Sequence, residues 1–186
     1  YMGMDKLKAE VSGYSVASDV DIAVIDTGIN ASDTLFDGRI NTADSVNCYD
    51  DETAGDFSDK LGHGSHVAGI IADATPDNAK LTIIKCFSDS GSTAVSVVQR
   101  GIMAALDRGV DIINMSLCFY GTNANENTRA MLDPLIEQAN NENVVICVAA
   151  GNANRSVNNW GISDVEGVSY PADSRNVITV SALMQK

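Results

Sequence analysis

Five short apolar runs rich in β-branched residues recur along the chain: DIAVIDTG (21–28), KLTIIKCF (80–87), DIINMSL (111–117), VVICVAAG (144–151) and NVITVSAL (176–183). None shows the strict polar and apolar alternation of a half-solvated strand, so each reads as a strand buried on both faces. Helical patterns lie between them. Residues 93–108 place Val95, Val98, Ile102, Ala105 and Leu106 at spacings of three and four, and Gly109 stands where a helix would end. Residues 128–142 put Met131, Leu132, Leu135, Ile136 and Ala139 on one face, and Pro134 inside that stretch predicts a kink or a start at Asp133. Strands alternating with helices predict an α/β fold with a parallel sheet and helices on both faces. Ligands of such sheets bind beyond the carboxyl ends of the strands. The residues to weigh for function therefore follow the strands: Asp26-Thr27-Gly28, Phe87 to Thr93, Ser116-Leu117-Cys118 and Gly151-Asn152.

At 186 residues and 45% hydrophobic content, the chain suffices for one domain with a sizeable core. Its net charge of −13 repels phosphate backbones and anionic lipid surfaces, which excludes nucleic acid as an expected partner. Apolar runs such as VVICVAA (144–150) fall short of the roughly 20 residues that span a bilayer, so no membrane span is predicted. The first ten residues, YMGMDKLKAE, show no basic region followed by an apolar one, and no secretion signal is expected there. Cys48, Cys86, Cys118 and Cys147 form no C-x-x-C pair and read as buried thiols, with a Cys86–Cys118 disulfide as the alternative. The acidic, Asn-rich segments 41–60 and 152–169 read as long surface loops.

Asp26 ends the first run and precedes a glycine turn, where a carboxylate is either a turn former or a catalytic group. A single Asp-Thr-Gly also marks aspartic proteases, but a shared-proton dyad needs a second copy and a mostly β fold. Both histidines, His63 and His66, lie three positions apart in LGHGSHVAGIIA (61–72), at the expected start of a helix. A zinc site of the H-E-x-x-H kind wants a glutamate after the first histidine and a third ligand; Gly64 and Ser65 fill the gap instead. A general base needs only an orienting carboxylate and reach to a nucleophile's proton. His63 precedes the apolar face of Val67, Ile70 and Ile71, and Gly64 leaves room for another backbone or a substrate. His66 lies a turn further in and reads as a packing or hydrogen-bonding residue. Asn152 follows a buried strand and a glycine, where it either makes a turn or offers its amide to a developing oxyanion.

AVIDTGIN around Asp26, GHGSHVAGIIA beginning at His63 and VICVAAGN ending at Asn152, with NMSL (114–117) and SYPA (169–172) in order, resemble the subtilisin-like serine proteases, the subtilases. The resemblance covers roughly residues 4–186. It implies the three-layer subtilisin-like architecture and a serine endopeptidase acting on a peptide or protein substrate. It implies His63 as general base, Asp26 as the carboxylate that fixes its tautomer and stabilises the imidazolium, Asn152 as oxyanion donor and His66 as a structural neighbour. Ser116, Leu117 and Cys118 would form one backbone rail for the substrate and Gly91, Ser92 and Thr93 the other. Ala150, Gly151, Ser169, Tyr170 and Pro171 would wall the pocket for the residue before the scissile bond, with Tyr170–Pro171 in the cis form. Cys118 stands where many relatives carry glycine.

Three departures from the family pattern shape further expectations. The link ADATPDNAKL (72–81) lacks the long loop that holds a strong calcium ion, and Leu35 replaces an aspartate ligand, so neither that site nor any cofactor is predicted. The acidic loop around Asp50, Asp51 and Glu52 offers at most weak cation binding. Subtilases carry their nucleophile in a Gly-Thr-Ser-Met-Ala segment after the strand matching 176–183, and this sequence holds no G-T-S and no G-x-S-x-G. Residues 1–186 are therefore expected to be the N-terminal portion of a catalytic domain, with the C-terminal part missing and no activity alone. Sheet surface left uncovered would favour a homo-oligomer, or the missing C-terminal part as partner. The other reading is a non-catalytic peptide-binding or scaffold module. The resemblance points to an extracellular or cell-surface protein, while cysteines in core strands would also suit a cytoplasmic one.

Overall fold

A computed structural model describes Lys6 and residues 19–50, 53–152 and 169–182. All five apolar runs contain a strand: β1 (Asp21–Asp26), β3 (Lys80–Lys85), β4 (Ile112–Met115), β6 (Val145–Ala149) and β8 (Ile178–Val180). A further strand, β2 (Val46–Asn47), lies inside the segment expected to be a surface loop. Two residues are too few to show a period in sequence, and β2 exists because Val46 and Asn47 pair with Ile84 and Lys85. The six strands form one parallel sheet in the order β2-β3-β1-β4-β6-β8. The fifth run is less buried than its sequence suggests: β8 is an edge strand, and Ile178 and Val180 are 55% and 58% exposed.

Alternation along the strands sorts side chains into two layers. On one face, Ile22 and Val24 of β1 and Leu81 and Ile83 of β3 meet Ala68 and Ala72 of helix α1 (His63–Ala74). On the other, Ala23, Ile25, Ile84, Ile113, Met115, Ile146 and Val148 pack under α2 (Val95–Asp107) and α3 (Glu126–Asn141). Each fully buried Ile or Val contributes about 1.5–3 kcal/mol relative to exposure. These two cores give the three-layer α/β architecture, with helices on both sides of the sheet.

Helix ends follow local chemistry. After α2, Gly109 at φ 66° lets its N–H bond the Leu106 carbonyl and the Val110 N–H that of Ala105, the six-to-one and five-to-two pairing of a left-handed stop. Asn143, at φ 63°, ends α3 in the same way. The expected start of α3 at Asp133 does not occur: the helix begins at Glu126, capped by Asn125, with Pro134 inside. The buried stripe Thr128, Leu132, Ile136 and Ala139 spans both sides of the proline and offsets its cost of about 3 kcal/mol. A small antiparallel pair, β5 (Phe119–Tyr120) with β7 (Ser169–Tyr170), stands apart from the main sheet. Among the described residues, no helix is long and apolar enough to cross a membrane.

Candidate active site

The chain leaves β1 in opposite directions: β3 adds on one side and β4 on the other. That reversal opens a crevice at the carboxyl end of the sheet. Asp26 closes β1 there, and its position in the alternation puts it with Ile22 and Val24 on the α1 side. α1 can come close because of two glycines. Gly28 turns at φ 111°, and a Cβ on Gly64 would collide with the Gly28 carbonyl oxygen. The room expected at Gly64 is thus taken by the backbone of the Asp26 turn.

This approach brings His63 Nδ1 to 2.7 Å from Asp26 Oδ1. Asp26 is 2% exposed, whereas the His63 side chain is about half exposed. The Thr27 N–H donates to the same carboxylate oxygen at 2.7 Å. A carboxylate in this position holds a proton on Nδ1, leaves Nε2 as the acceptor, and stabilises the ring once it is charged.

A second carboxylate, Asp59, frames the first. Its Oδ1 accepts from the Thr27 hydroxyl (2.9 Å) and from the N–H groups of Leu61 and Gly62. Its Oδ2 accepts from the Ser65 N–H and hydroxyl. The Thr27 hydroxyl in turn accepts from the Gly64 N–H at 2.8 Å. Burial alone would raise the Asp59 carboxyl, but the bonds from Ser65, Gly62 and Thr27 outweigh it and hold the group well below the usual carboxylate range. Lys85, buried at the end of β3, donates to the Thr27 carbonyl (2.7 Å) and pairs with Asp89 (3.2 Å).

Asp26 and His63 open onto a cleft of about 270 Å³ lined also by Gly91, Thr93, Ser116, Leu117, Cys118 and Phe119. Most of the two expected rails is therefore gathered at one place; Ser92 belongs to the same loop, with its N–H on the Ser88 hydroxyl. Ala150, Gly151, Asn152, Ser169, Tyr170 and Pro171 do not line this cleft: Ala150 donates its N–H to the Val180 carbonyl of β8 at 2.8 Å, and Gly151 to Asn152 and Ser169 to Pro171 lie by β5 and β7. There the exposed Asn152 donates its backbone N–H to the Tyr120 hydroxyl at 2.7 Å. A Cβ on Gly151 (φ 94°) would strike that hydroxyl and press on Ser169 Oγ at 2.9 Å. The Tyr170–Pro171 bond is cis.

The model of the Subtilase family matches residues 17–186. The chain is a subtilase. It is 33% identical over 184 residues to subtilisin DY of Bacillus licheniformis, covering 95% of this chain and 60% of that protein. Against a thermostable alkaline protease of Halalkalibacterium halodurans, identity is 33% over 172 residues, covering 88% of this chain and 41% of the relative. Among solved structures, the epidermin leader peptide processing serine protease of Staphylococcus aureus superposes with a TM-score of 0.77 at 25% identity, over 95% of this chain and 50% of that one. This subtilase thus spans about half the length of the relatives it matches.

His66, expected as a packing or hydrogen-bonding residue, is exposed and borders a surface hollow with Leu35, Gly69, Ile70 and Asp73. Three supporting residues escaped the sequence reading, Asp59, Lys85 and Tyr120, while Thr27 was marked only by its place after β1. An aspartate four residues before a helix that starts without its own capping side chain was the available signal for Asp59. Lys85 inside an apolar run marked a buried charge in need of partners.

Proposed function

We propose that this subtilase supplies the base half of a serine endopeptidase. His63 is the general base, Asp26 orients it, and the nucleophilic serine comes from outside this chain. The observation that carries the reading is the 2.7 Å contact between a buried carboxylate and a half-exposed imidazole at the edge of a cleft. An alcohol attacking a peptide carbonyl must lose its proton as it attacks, and His63 Nε2 receives it. The same ring then returns the proton to the leaving amine. The Asn152 side-chain amide stabilises the oxyanion of the tetrahedral intermediate, a contribution typically worth about 10²–10³ in turnover.

The rails Gly91–Thr93 and Ser116–Cys118 take the substrate as an added extended strand. Ala150, Gly151 and Ser169 to Pro171 wall the pocket of the residue before the scissile bond. Without the nucleophilic serine these 186 residues do not hydrolyse peptides, since loss of the nucleophile from a subtilisin triad costs about 10⁶ in turnover. An extracellular or cell-surface site of action goes with this reading. The isolated chain associates through the exposed Ile178 and Val180 edge, which light scattering would register as a mass above that of a monomer.

The deciding experiment is labelling of the full-length protein with a fluorophosphonate. Labelling of a serine beyond residue 186, lost in His63→Ala, is the expected result. Absence of labelling in the folded wild-type protein would instead establish the non-catalytic peptide-binding or scaffold module.

A further inference from the structure

Two thiols that the proteolytic reading leaves unused lie side by side in the core. β2 and β3 run parallel with Val46 opposite Ile84 and Asn47 opposite Lys85. The Cys48 N–H continues that ladder by donating to the Lys85 carbonyl at 2.8 Å, so the next step sets Cys48 opposite Cys86. Neighbouring parallel strands lie about 4.8 Å apart, inside the Cα separations of about 4.4–6.8 Å that a disulfide spans. Alternation aims both side chains the same way, and Cys48 and Cys86 belong to the core under α2. The helix makes space for them at Gly101, where a Cβ would collide with Cys86 Sγ.

The other two cysteines have no such neighbour in the ladder. Cys147 of β6 faces Asn114 on one side and Ile178 on the other, and Cys118 lines the cleft. The thiol in contact with Cys86 is that of Cys48, not the Cys118 expected from sequence as the alternative partner.

We propose that Cys48 and Cys86 are a disulfide site, closed by exchange with a low-molecular-weight disulfide such as glutathione disulfide as the protein folds in an oxidising compartment. Cys48 reacts first, because it retains 7% exposure while Cys86 has none. Its thiolate attacks one sulfur of the oxidant, forming a mixed disulfide and expelling one small thiolate. The Cys86 thiol, losing its proton, attacks Cys48 Sγ and expels the second. One protein S–S bond forms, the oxidant's S–S bond breaks, and two electrons and two protons leave the protein as two small thiols. Contact with the Cys48 thiol and burial both hold the Cys86 thiol well above its ordinary range, so closure accompanies folding or transient opening rather than reaction at the surface.

The bond would bind together strand ends that carry the site. Cys86 donates its N–H to the Asp26 carbonyl at 2.8 Å and accepts the Thr93 hydroxyl at 2.5 Å. The Cys48 carbonyl accepts from Arg100 at 2.6 Å. Oxidation therefore staples the loop between β2 and α1, which bears Asp59, to the strand beneath the Gly91–Thr93 rail. This holds whether or not the protein is a peptidase.

The test refolds the full-length protein in glutathione and glutathione disulfide or in dithiothreitol, blocks thiols by alkylation, and maps unreduced digests by mass spectrometry. A Cys48–Cys86 cross-linked peptide, with Cys118 and Cys147 alkylated, is expected only from the oxidised sample. The oxidised protein should also melt roughly 5–10 °C higher. The link should persist in a Cys118→Ser/Cys147→Ser variant and vanish, with the redox dependence of melting, in Cys48→Ser. Alkylation of all four cysteines in oxidised folded protein, or a link through Cys118 or Cys147, overturns the proposal. The same map on protein expressed and purified without reductant gives the answer where refolding is inefficient.

Discussion

On the β1 and α1 side of the cleft, the groups that place His63 bond to one another within residues 26–65: Asp26 to the ring, Thr27 to Asp26 and Asp59, Asp59 to the first turn of α1. On the β5 and β7 side, Asn152 is exposed and its N–H reaches the Tyr120 hydroxyl, while Ser169 Oγ is buried with no partner among the described residues. The first half is formed whenever β1 and α1 pack. The second depends on Phe119 and Tyr120 meeting Ser169 and Tyr170 from distant parts of the sequence. Contacts on both sides join residues some 32 to 37 positions apart; the difference is that the β1 and α1 side is a closed set of mutually bonded groups, whereas the β5 and β7 side rests on fewer bonds.

The largest effect should come from the centre of the first half. If the full-length protein is the proposed peptidase, Asp26→Asn keeps the shape but places the wrong proton pattern on His63, and steady-state kinetics should show kcat lower by roughly 10⁴. A loss under tenfold would mean that the 2.7 Å contact does not orient the base, and the asymmetry between the halves would disappear.

Next come the two glycines at which each half is closest packed. Gly64→Ala drives a methyl group into the Gly28 backbone, which cannot swing away, so α1 must move off β1 at a cost of about 3 kcal/mol or more. Gly151→Ala meets the Tyr120 hydroxyl, the end of a side chain that can turn aside, and pays mainly for a methyl at φ 94°, about 1–2 kcal/mol. Urea unfolding of the two variants checks the order. Equal costs would show that the β5 and β7 side is as rigid as the other.

Asp59→Asn probes the frame around the base. Three of the five donors to Asp59 are backbone N–H groups, and an amide in its place accepts at one atom only. The expected loss is about 1–2 kcal/mol at neutral pH, allowing for solvent screening of a part-exposed carboxylate. The folded carboxyl titrates below the unfolded value of about 3.9, so acid protonates the unfolded chain first. Its stabilisation is complete above that value and is lost as pH falls through the folded one. The stability gap between wild type and Asp59→Asn should accordingly be constant from about pH 5 to 7 and close below about pH 4. A gap that persists in acid would assign the effect to packing.

How much of the molecule was legible in the sequence depends on how local each signal is. Strands such as IAVI and LTII carry their burial in consecutive β-branched residues, and Gly109 marks a helix stop because only a left-handed residue completes that turn; both are local signals. Asp26 and His63 stood out as candidates at the ends of elements, and their pairing was implied by the resemblance of AVIDTGIN and GHGSHVAGIIA to subtilase segments. The bond between Thr27 and Asp59 was not legible, since it joins residues 32 positions apart. Tyr120 was likewise silent: nothing in CFYGTN tells that its hydroxyl meets residue 152. Ile178 and Val180 look like core in sequence because apolar periodicity does not report whether a strand has one neighbour or two.

Tyr120→Phe should have the smallest effect. It removes the oxygen that accepts the Asn152 N–H but keeps the ring beside Gly151. Asn152 is exposed, so water replaces the lost partner and stability should change by less than about 0.5 kcal/mol in urea unfolding. Asn152 nonetheless loses its anchor, and on the proposed function an amide held less firmly stabilises the transition state less while the substrate still occupies the rails. Full-length Tyr120→Phe protein should then show kcat reduced about 3- to 10-fold with KM unchanged. A rise in KM with constant kcat would place the hydroxyl in the substrate pocket instead, and the β5 and β7 side would be a specificity wall rather than a support for the oxyanion donor.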